Sequence, residues 1–248
     1  MLYAKFTNVS EWKAILTAIG EISEDAMFIC NTDGITFRGI DPTHISLLDI
    51  TFPESSFEEF DSSATFFGIR TEDFKNVLNA ADAKDTIELK MQDEGNLLVL
   101  INGTLSMQFS VKLIEKTEIN TPVPKVSAKT KIGITPNTLN RIISNLEKVS
   151  EFVTIQTIHD KVEFSGKGDI GNAKIDLDIT NSELQNLETT EDSLSIYSLE
   201  YMAKIIRSIG RASKSINIGY SSKSPMHIQF DMPSNVNVAY YLAPRIQD

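Results

Sequence analysis

Three groups of residues have types and spacings that could carry chemistry. The first is Asp41, His44 and Asp49, close enough in sequence to form an acid–base pair with a second carboxylate. Nothing nearby supplies a nucleophile. His159 and His227 sit in hairpin-like contexts without metal-ligand spacing. The group therefore reads as a loop aspartate beside a surface histidine at a strand start, with an enzyme using the Asp41/His44 region as the alternative. The second is Gly166-Lys167-Gly168-Asp169-Ile170-Gly171, which matches G-x-G-x-x-G by letter. A dinucleotide site needs a helix N-terminus directly after the last glycine, to hold the pyrophosphate. An alternating strand follows here instead, so a flexible inter-strand loop is expected.

The third group is basic. Leu199, Met202, Ile205, Ile206 and Ile209 form an apolar stripe at helical spacing, and Glu200, Lys204, Arg207, Arg211 and Lys214 fall on the opposite face. Three other helical segments carry Lys13, Lys75, and Arg141 with Lys148 on their polar faces. Such side chains are routine on a solvated helix face. Here they gather positive charge in a chain whose net charge is -11. An acidic total disfavours nucleic acid, but a local basic stripe favours contact with backbone phosphate, indifferent to base sequence.

The elements that position these residues repeat. A strand at 2–7 precedes a helix with Val9, Trp12, Ile15, Leu16 and Ile19 on one face, capped by Asn8 or Ser10 and ended by Gly20. Strands are expected at Ala26–Cys30, Ile35–Arg38, His44–Phe52 and Thr65–Ile69, with an acidic loop at Glu54–Asp61. Thr71 caps a second helix, followed by strands at Thr86–Met91, Asn96–Ile101 and Thr104–Leu113, the last two joined by an Asn102-Gly103 turn. The order then recurs. A strand at Lys131–Ile134 leads to a helix opened by Thr135-Pro136, with Leu139, Ile142, Ile143, Leu146 and Val149 on its core face. Strands at Phe152–Ile158, Lys161–Ser165 and Ala173–Thr180 precede an acidic loop, Glu183–Asp192, and a helix capped by Ser198. Strands at Ser215–Tyr220, Met226–Asp231 and Val236–Leu242 finish the chain. This predicts an α+β protein of two similar domains, each with antiparallel sheets and two helices. The bounds are 1–112, a connector at 113–130, and 131–248. The connector carries Pro122 and Pro124, which favour an extended path. Roughly twelve such residues reach about 40 Å, enough to cross a domain about 35 Å wide.

Cys30 is the sole cysteine, so neither a disulfide nor a thiolate cluster is expected. No apolar run approaches membrane-spanning length and no signal-peptide pattern opens the chain. An intracellular protein with no cofactor and no metal is expected.

With these residues in place, the chain resembles a sliding clamp of the proliferating-cell-nuclear-antigen family in its archaeal form. The resemblance spans nearly the full length. Its most specific pieces are Asp41-Pro42-Thr43-His44-Ile45-Ser46-Leu47, Phe164-Ser165-Gly166-Lys167-Gly168-Asp169-Ile170-Gly171-Asn172, Tyr240-Tyr241-Leu242-Ala243-Pro244-Arg245-Ile246, and Ile119-Asn120-Thr121-Pro122 in the connector. It implies a non-enzymatic clamp: a trimeric ring of six domains around double-stranded DNA, opened by a clamp loader. Polymerase, flap nuclease and ligase would dock through short peptide motifs, in replication and repair. The cellular place would be cytoplasm or nucleoid for an archaeon, the nucleus for a eukaryote. Facing DNA would be Lys13, Lys75, Lys84, Arg141, Lys148, Lys204, Arg207, Arg211 and Lys214.

The resemblance assigns peptide binding to Ile40, Asp41, His44, Ile45 and Leu47 in the first domain, and to Ile119, Thr121, Pro122 and Val126 in the connector. Pro225, Tyr241, Leu242, Ala243, Pro244, Arg245 and Ile246 complete that set. Thr121 is more polar than the residue usual there, and Val126 stands where many members place an aromatic. Subunit contacts would come from Met107, Phe109, Val111 and Leu113 on one edge and from Ile175, Leu177 and Ile179 on another. A paralogous or checkpoint-type subunit of a heterotrimer is the alternative within the fold, and a β-rich adaptor with no DNA role the alternative outside it.

Overall fold

The structure, a computed structural model, describes residues 1–63, 65–91, 95–115 and 121–246. The chain divides into two compact units, 1–122 with 232–238, and 123–231 with 239–248. The first unit holds β1 (Leu2–Phe6), α1 (Val9–Ile22), β2 (Asp25–Asn31), β3 (Gly34–Ile40), β4 (Ser46–Pro53), β5 (Glu59–Ser62), β6 (Thr65–Arg70), α2 (Thr71–Asn79), β7 (Thr86–Met91), β8 (Asn96–Asn102) and β9 (Ser106–Lys112). The second holds β10 (Thr130–Ile134), α3 (Pro136–Leu146), β11 (Phe152–Ile158), β12 (Lys161–Gly168), β13 (Gly171–Asp178), β14 (Leu184–Thr189), β15 (Ser193–Ser198), α4 (Leu199–Ile209), β16 (Ser215–Tyr220), β17 (Met226–Asp231) and most of β18 (Asn237–Leu242).

The element order is the same in both units, and so is the pairing. In the first, β5-β1-β7-β8-β9 form one antiparallel set and β4-β3-β2-β6 another; in the second, the orders are β14-β10-β16-β17-β18 and β13-β12-β11-β15. The repeat read from the sequence is thus a repeat of topology, strand for strand. Within each unit the two helices pack on one another and on the sheets.

Alternation builds the sheets. In β7, Ile87, Leu89 and Met91 are buried while Thr86, Glu88 and Lys90 are not; β11 repeats this with Val153, Ile155 and Thr157 inward. The first core centres on Trp12, stacked between Phe6 (centroids 4.4 Å apart) and Phe52 (4.1 Å). Phe28 stacks on Phe67 at 4.9 Å. In the second unit, fully buried tyrosines satisfy their hydroxyls internally: Tyr220 with Thr157 at 2.6 Å, and Tyr197 donating to Ser224 O at 2.8 Å. Burial pushes the Tyr220 hydroxyl up to about 12.

Several local expectations are corrected. Gly20 lies inside α1; Ser23 ends that helix in an extended conformation, its N–H bonded to Ile19 O. Asn8 does not cap through its side chain, which reaches Glu11 and Ser234 instead. Thr71 is the first residue of α2, and its hydroxyl donates to Ser23 O at 3.1 Å. Ser198 holds the N-cap position of α4 without a side-chain cap bond, whereas Thr135 caps α3 by accepting from Thr138 N. The expected acidic loops contain β5, β14 and, beyond Asp192, β15. The Gly166–Gly171 segment is no flexible loop: β12 runs to Gly168 and β13 restarts at Gly171, whose φ of 145° suits the tight turn.

Cys30 is 1% exposed, and burial pushes its thiol up to about 12. It stays a thiol at neutral pH. Native protein is expected to resist thiol-reactive dye until it unfolds; labelling of the native state at the rate of a free thiol would contradict this.

Candidate functional site

Two kinds of surface carry the candidate residues: helix faces and a loop–strand group. In the first unit the helix faces are mixed in charge. Lys13 is half-buried and its ammonium donates to Ala81 O at 2.7 Å, so it is tied to the chain just beyond α2. Lys75 pairs with Glu72 at 2.5 Å, and Asp73 is exposed beside them. Lys84 is exposed, beyond the end of α2. The Lys75–Glu72 pair is open to solvent on its Glu72 side and contributes little to stability.

The second unit concentrates the positive charge. Arg141 on α3 and Lys204 and Arg207 on α4 are exposed. Lys204 pairs with Glu200 at 2.8 Å, and Arg207 bridges α4 to α3 through Glu147, with Ser144 Oγ at 3.4 Å. The α4 stripe is shorter than its periodicity implied, because the helix ends at Ile209. Arg211 sits on a 3₁₀ turn, Gly210–Ala212, and Lys214 follows an extended Ser213. Lys148 likewise lies past α3 and donates to the Asn145 side chain at 2.8 Å. Lys84, Arg141, Arg211 and Lys214 make no ion pair among the described residues. Their charge is available to a phosphate.

The loop group is built around Asp41, which is 4% exposed. Its carboxylate accepts from the backbone N–H groups of Thr43 and Ile45, both at 2.9 Å, and of Ser46 at 2.5 Å, and from the hydroxyls of Thr43 and Ser46. Burial pushes the Asp41 carboxyl up; the bonds from Thr43 and Ser46 outweigh it and hold the carboxyl below the usual range. Those bonds spend its lone pairs on loop structure. Asp41 is therefore a positioning residue and has no free face for proton transfer. It closes the turn that sets Ile40 opposite Leu47 across β3 and β4. His44 is exposed with φ 59°, and Ile45 is 37% exposed at the same turn. Leu47 is 3% exposed and lies beside Ile40 as its cross-strand partner.

Asp41→Ala is expected to orphan three N–H donors and cost about 3 kcal/mol, read as a lowered unfolding midpoint. The folded pKa lies below the unfolded one. The stability Asp41 supplies is therefore full above its unfolded value, near 3.9, and is lost as pH falls through the folded value. A wild-type-like midpoint for Asp41→Ala at pH 7 would contradict this role.

Arg38, which the sequence reading missed, joins the connector to this sheet. Its Nε pairs with Asp49 Oδ1 at 2.8 Å, and its Nη1 donates to Thr121 O at 3.4 Å. Ile114 makes a β-bridge to Gly68 on β6. Arg38 shares a face with Ile40, two residues along β3, and that spacing was the available signal. Pro122 is exposed; Ile119 lies outside the described residues.

In the second unit, Val126 is half-buried and Pro225 exposed. Tyr241 stacks on His227 at 4.8 Å, and burial pushes the His227 imidazole down. Strand alternation turns Leu242 wholly inward, so its side chain is core and offers a partner only its backbone. Ala243 and Pro244 are half-buried, and Arg245 and Ile246 exposed.

The candidate edge residues lie on, or one residue beyond, strands with one neighbour each: β9 pairs with β8, and β13 with β12. Met107, Phe109 and Leu113 are half-buried and Val111 is 5% exposed. On β13, Ile175 is half-buried and Leu177 is 6% exposed; Ile179, just past the strand, is 59% exposed. Among the described residues no group of three or more His, Cys, Asp or Glu is placed to hold a metal. No helix among them is long and apolar enough to cross a membrane.

A twice-written unit of two antiparallel sheets and two helices, with basic side chains along helix faces, defines a DNA-clamp fold. Family models agree: that for the proliferating cell nuclear antigen N-terminal domain matches residues 1–120 and that for the C-terminal domain residues 122–245. A DNA polymerase sliding clamp of Nitrosopumilus maritimus is 35% identical over 245 residues, 98% of each chain. One of Cenarchaeum symbiosum is 34% identical, again over 98% of each. The fold matches that of PCNA from Thermococcus kodakaraensis with a TM-score of 0.94, covering 99% of this chain and all of that one, at 23% identity. A chain of a PCNA2–PCNA3 complex from Sulfolobus tokodaii gives 0.90 at 26% identity, covering 98% and 99%. The chain belongs to the proliferating cell nuclear antigen family and is a DNA sliding clamp.

Proposed function

We propose that this clamp is a non-enzymatic processivity factor: three subunits close head to tail into a ring around duplex DNA, inside the cell. The observation that carries this reading is that β9 in one unit and β13 in the other are sheet-edge strands, each paired on one side and bearing apolar residues. Different edges on one chain make a head-to-tail contact, and rotation closes such contacts into a ring. Pairing β9 with β13 of the next subunit buries two sheet edges that would otherwise invite aggregation.

Helix faces then meet DNA through Lys13, Lys75, Lys84, Arg141, Lys148, Lys204, Arg207, Arg211 and Lys214, with the unpaired cations of the second unit dominant. Contacts to phosphate alone leave the ring free to slide, and topology supplies retention. A clamp loader opens the ring. Polymerase, flap nuclease and ligase motifs bind Ile40, His44, Ile45 and the connector backbone in one unit. In the other they bind Val126, Pro225, Tyr241 and the tail from Ala243. Apolar anchors and main-chain bonds together give such peptides affinity. Solution mass by light scattering tests the assembly: three times 27.6 kDa is expected, and a strict monomer at every concentration contradicts a self-sufficient ring.

One observation favours a second reading. The Sulfolobus neighbour is a complex of two different clamp chains. A monomer that forms a ring only when mixed with sibling subunits would establish the mixed assembly.

A further inference from the structure

A cleft of about 470 Å³ opens in the second unit, between the end of α3, the start of β11, the β12–β13 hairpin and the C-terminal tail. Its shape is fixed by backbone. A Cβ on Gly168 would lie 2.0 Å from Val149 O, so the hairpin rests directly on the chain leaving α3. Ser150 Oγ ties the two together, 2.8 Å from Phe152 O and 3.2 Å from Lys167 O. One side is apolar: Ile170 at the hairpin tip is 79% exposed, and the Phe152 ring lies below the Arg245 guanidinium, 3.8 Å from the ring centre.

Lys148, Lys167 and Arg245 border this cleft, and none pairs with a carboxylate among the described residues. Of the acids on its rim, Glu147 is turned to Arg207, while Glu151 and Asp169 are exposed to solvent. Three cations against two acids unpaired among the described residues leave this concavity net positive, in a chain of net charge -11, and suited to a carboxylate from outside.

We propose that this cleft docks a segment of a partner protein in which an apolar side chain is followed by carboxylates. The apolar group packs on Ile170 and the flank of Phe152; the carboxylates meet Lys167 and Arg245. Duplex DNA fits less well. A phosphate backbone offers the exposed Ile170 no apolar group to pack against it. The proposal rests on the clamp reading for the source of such segments. Lys167, Phe152 and Ile170 lie outside the residues assigned above to peptide anchoring.

The test uses the full chain with isotope-labelled isoleucine methyls and a capped peptide, Leu-Phe-Asp-Glu-Asp, against its uncharged counterpart, Leu-Phe-Asn-Gln-Asn. Saturable displacement of the Ile170 methyl signal by the acidic peptide is expected. By fluorescence anisotropy, affinity should fall about tenfold for the uncharged peptide, for Lys167→Glu and for Ile170→Ser. Three results would overturn the proposal: no saturable binding, equal binding of both peptides, or stronger displacement of Ile170 by a short DNA duplex. Loader-dependent retention on circular DNA is followed in parallel. Its absence in the unaltered chain counts against the clamp reading, while the peptide titration decides the cleft independently.

Discussion

Replacing Phe109 and Ile175 together by aspartate is expected to turn the assembled protein into monomers of 27.6 kDa. Both side chains are half-buried on strands that have one neighbour each in the isolated chain. In a head-to-tail ring, every interface would then bury two carboxylates against apolar surface. Each costs about 3 kcal/mol even after partial relaxation, so the two together raise the dissociation constant by about four orders of magnitude. The monomer itself should keep its fold, because neither residue belongs to the fully buried core. Light scattering and circular dichroism check both halves of this expectation. A variant that stays trimeric at low concentration would move the interface away from these edges.

The second large effect is expected from Arg141→Glu, Arg211→Glu and Lys214→Glu combined. These exposed cations have no carboxylate partner among the described residues, whereas Lys204 and Arg207 already share Glu200 and Glu147. Each reversal removes one phosphate contact and adds a repulsion. The salt dependence of DNA contact should weaken by about one unit of slope per lost contact. Clamp-dependent DNA synthesis should fall at least about tenfold. Lys204→Glu with Arg207→Glu should cost less per residue, because part of their field is already cancelled. Synthesis unchanged by the triple reversal would remove the helix faces from the DNA path.

What the sequence disclosed, and what it hid, follows from burial. Strands with inward apolar side chains, such as Thr86–Met91 and Phe152–Ile158, were legible to the residue because alternation is the direct imprint of a half-buried sheet. β5 and β14 escaped because they are edge strands: they carry charge and polar groups and bury little, which is how an edge is kept from pairing with strangers. β15 escaped for the opposite reason. Its inward positions include Ser193 and Ser195 while Leu194 is 40% exposed, so the apolar pattern points to the wrong face. The helices were clear from their apolar stripes, but their ends were not. Caps depend on where a hydroxyl finds a partner: Thr71 finds Ser23 O across the unit, while Thr135 finds its own helix.

At the site, spacing brought Asp41 and His44 together without telling their roles. Only the geometry shows the Asp41 carboxylate filled by loop donors, which turns a candidate base into the element that holds Ile40, Ile45 and Leu47 in place. The Arg38–Thr121 contact was hidden because a long-range bond between a side chain and a backbone carbonyl leaves no local periodicity.

Retention on DNA by topology is the central claim, and one measurement addresses it most directly. Clamp is loaded onto nicked circular DNA by a clamp loader, freed of unbound protein, and followed before and after the circle is cut once. A closed ring stays on the intact circle through a high-salt wash and leaves by sliding off the ends after linearisation. Equal retention on circle and linear DNA, or loss from the intact circle at high salt, would contradict encirclement and assign binding to charge alone.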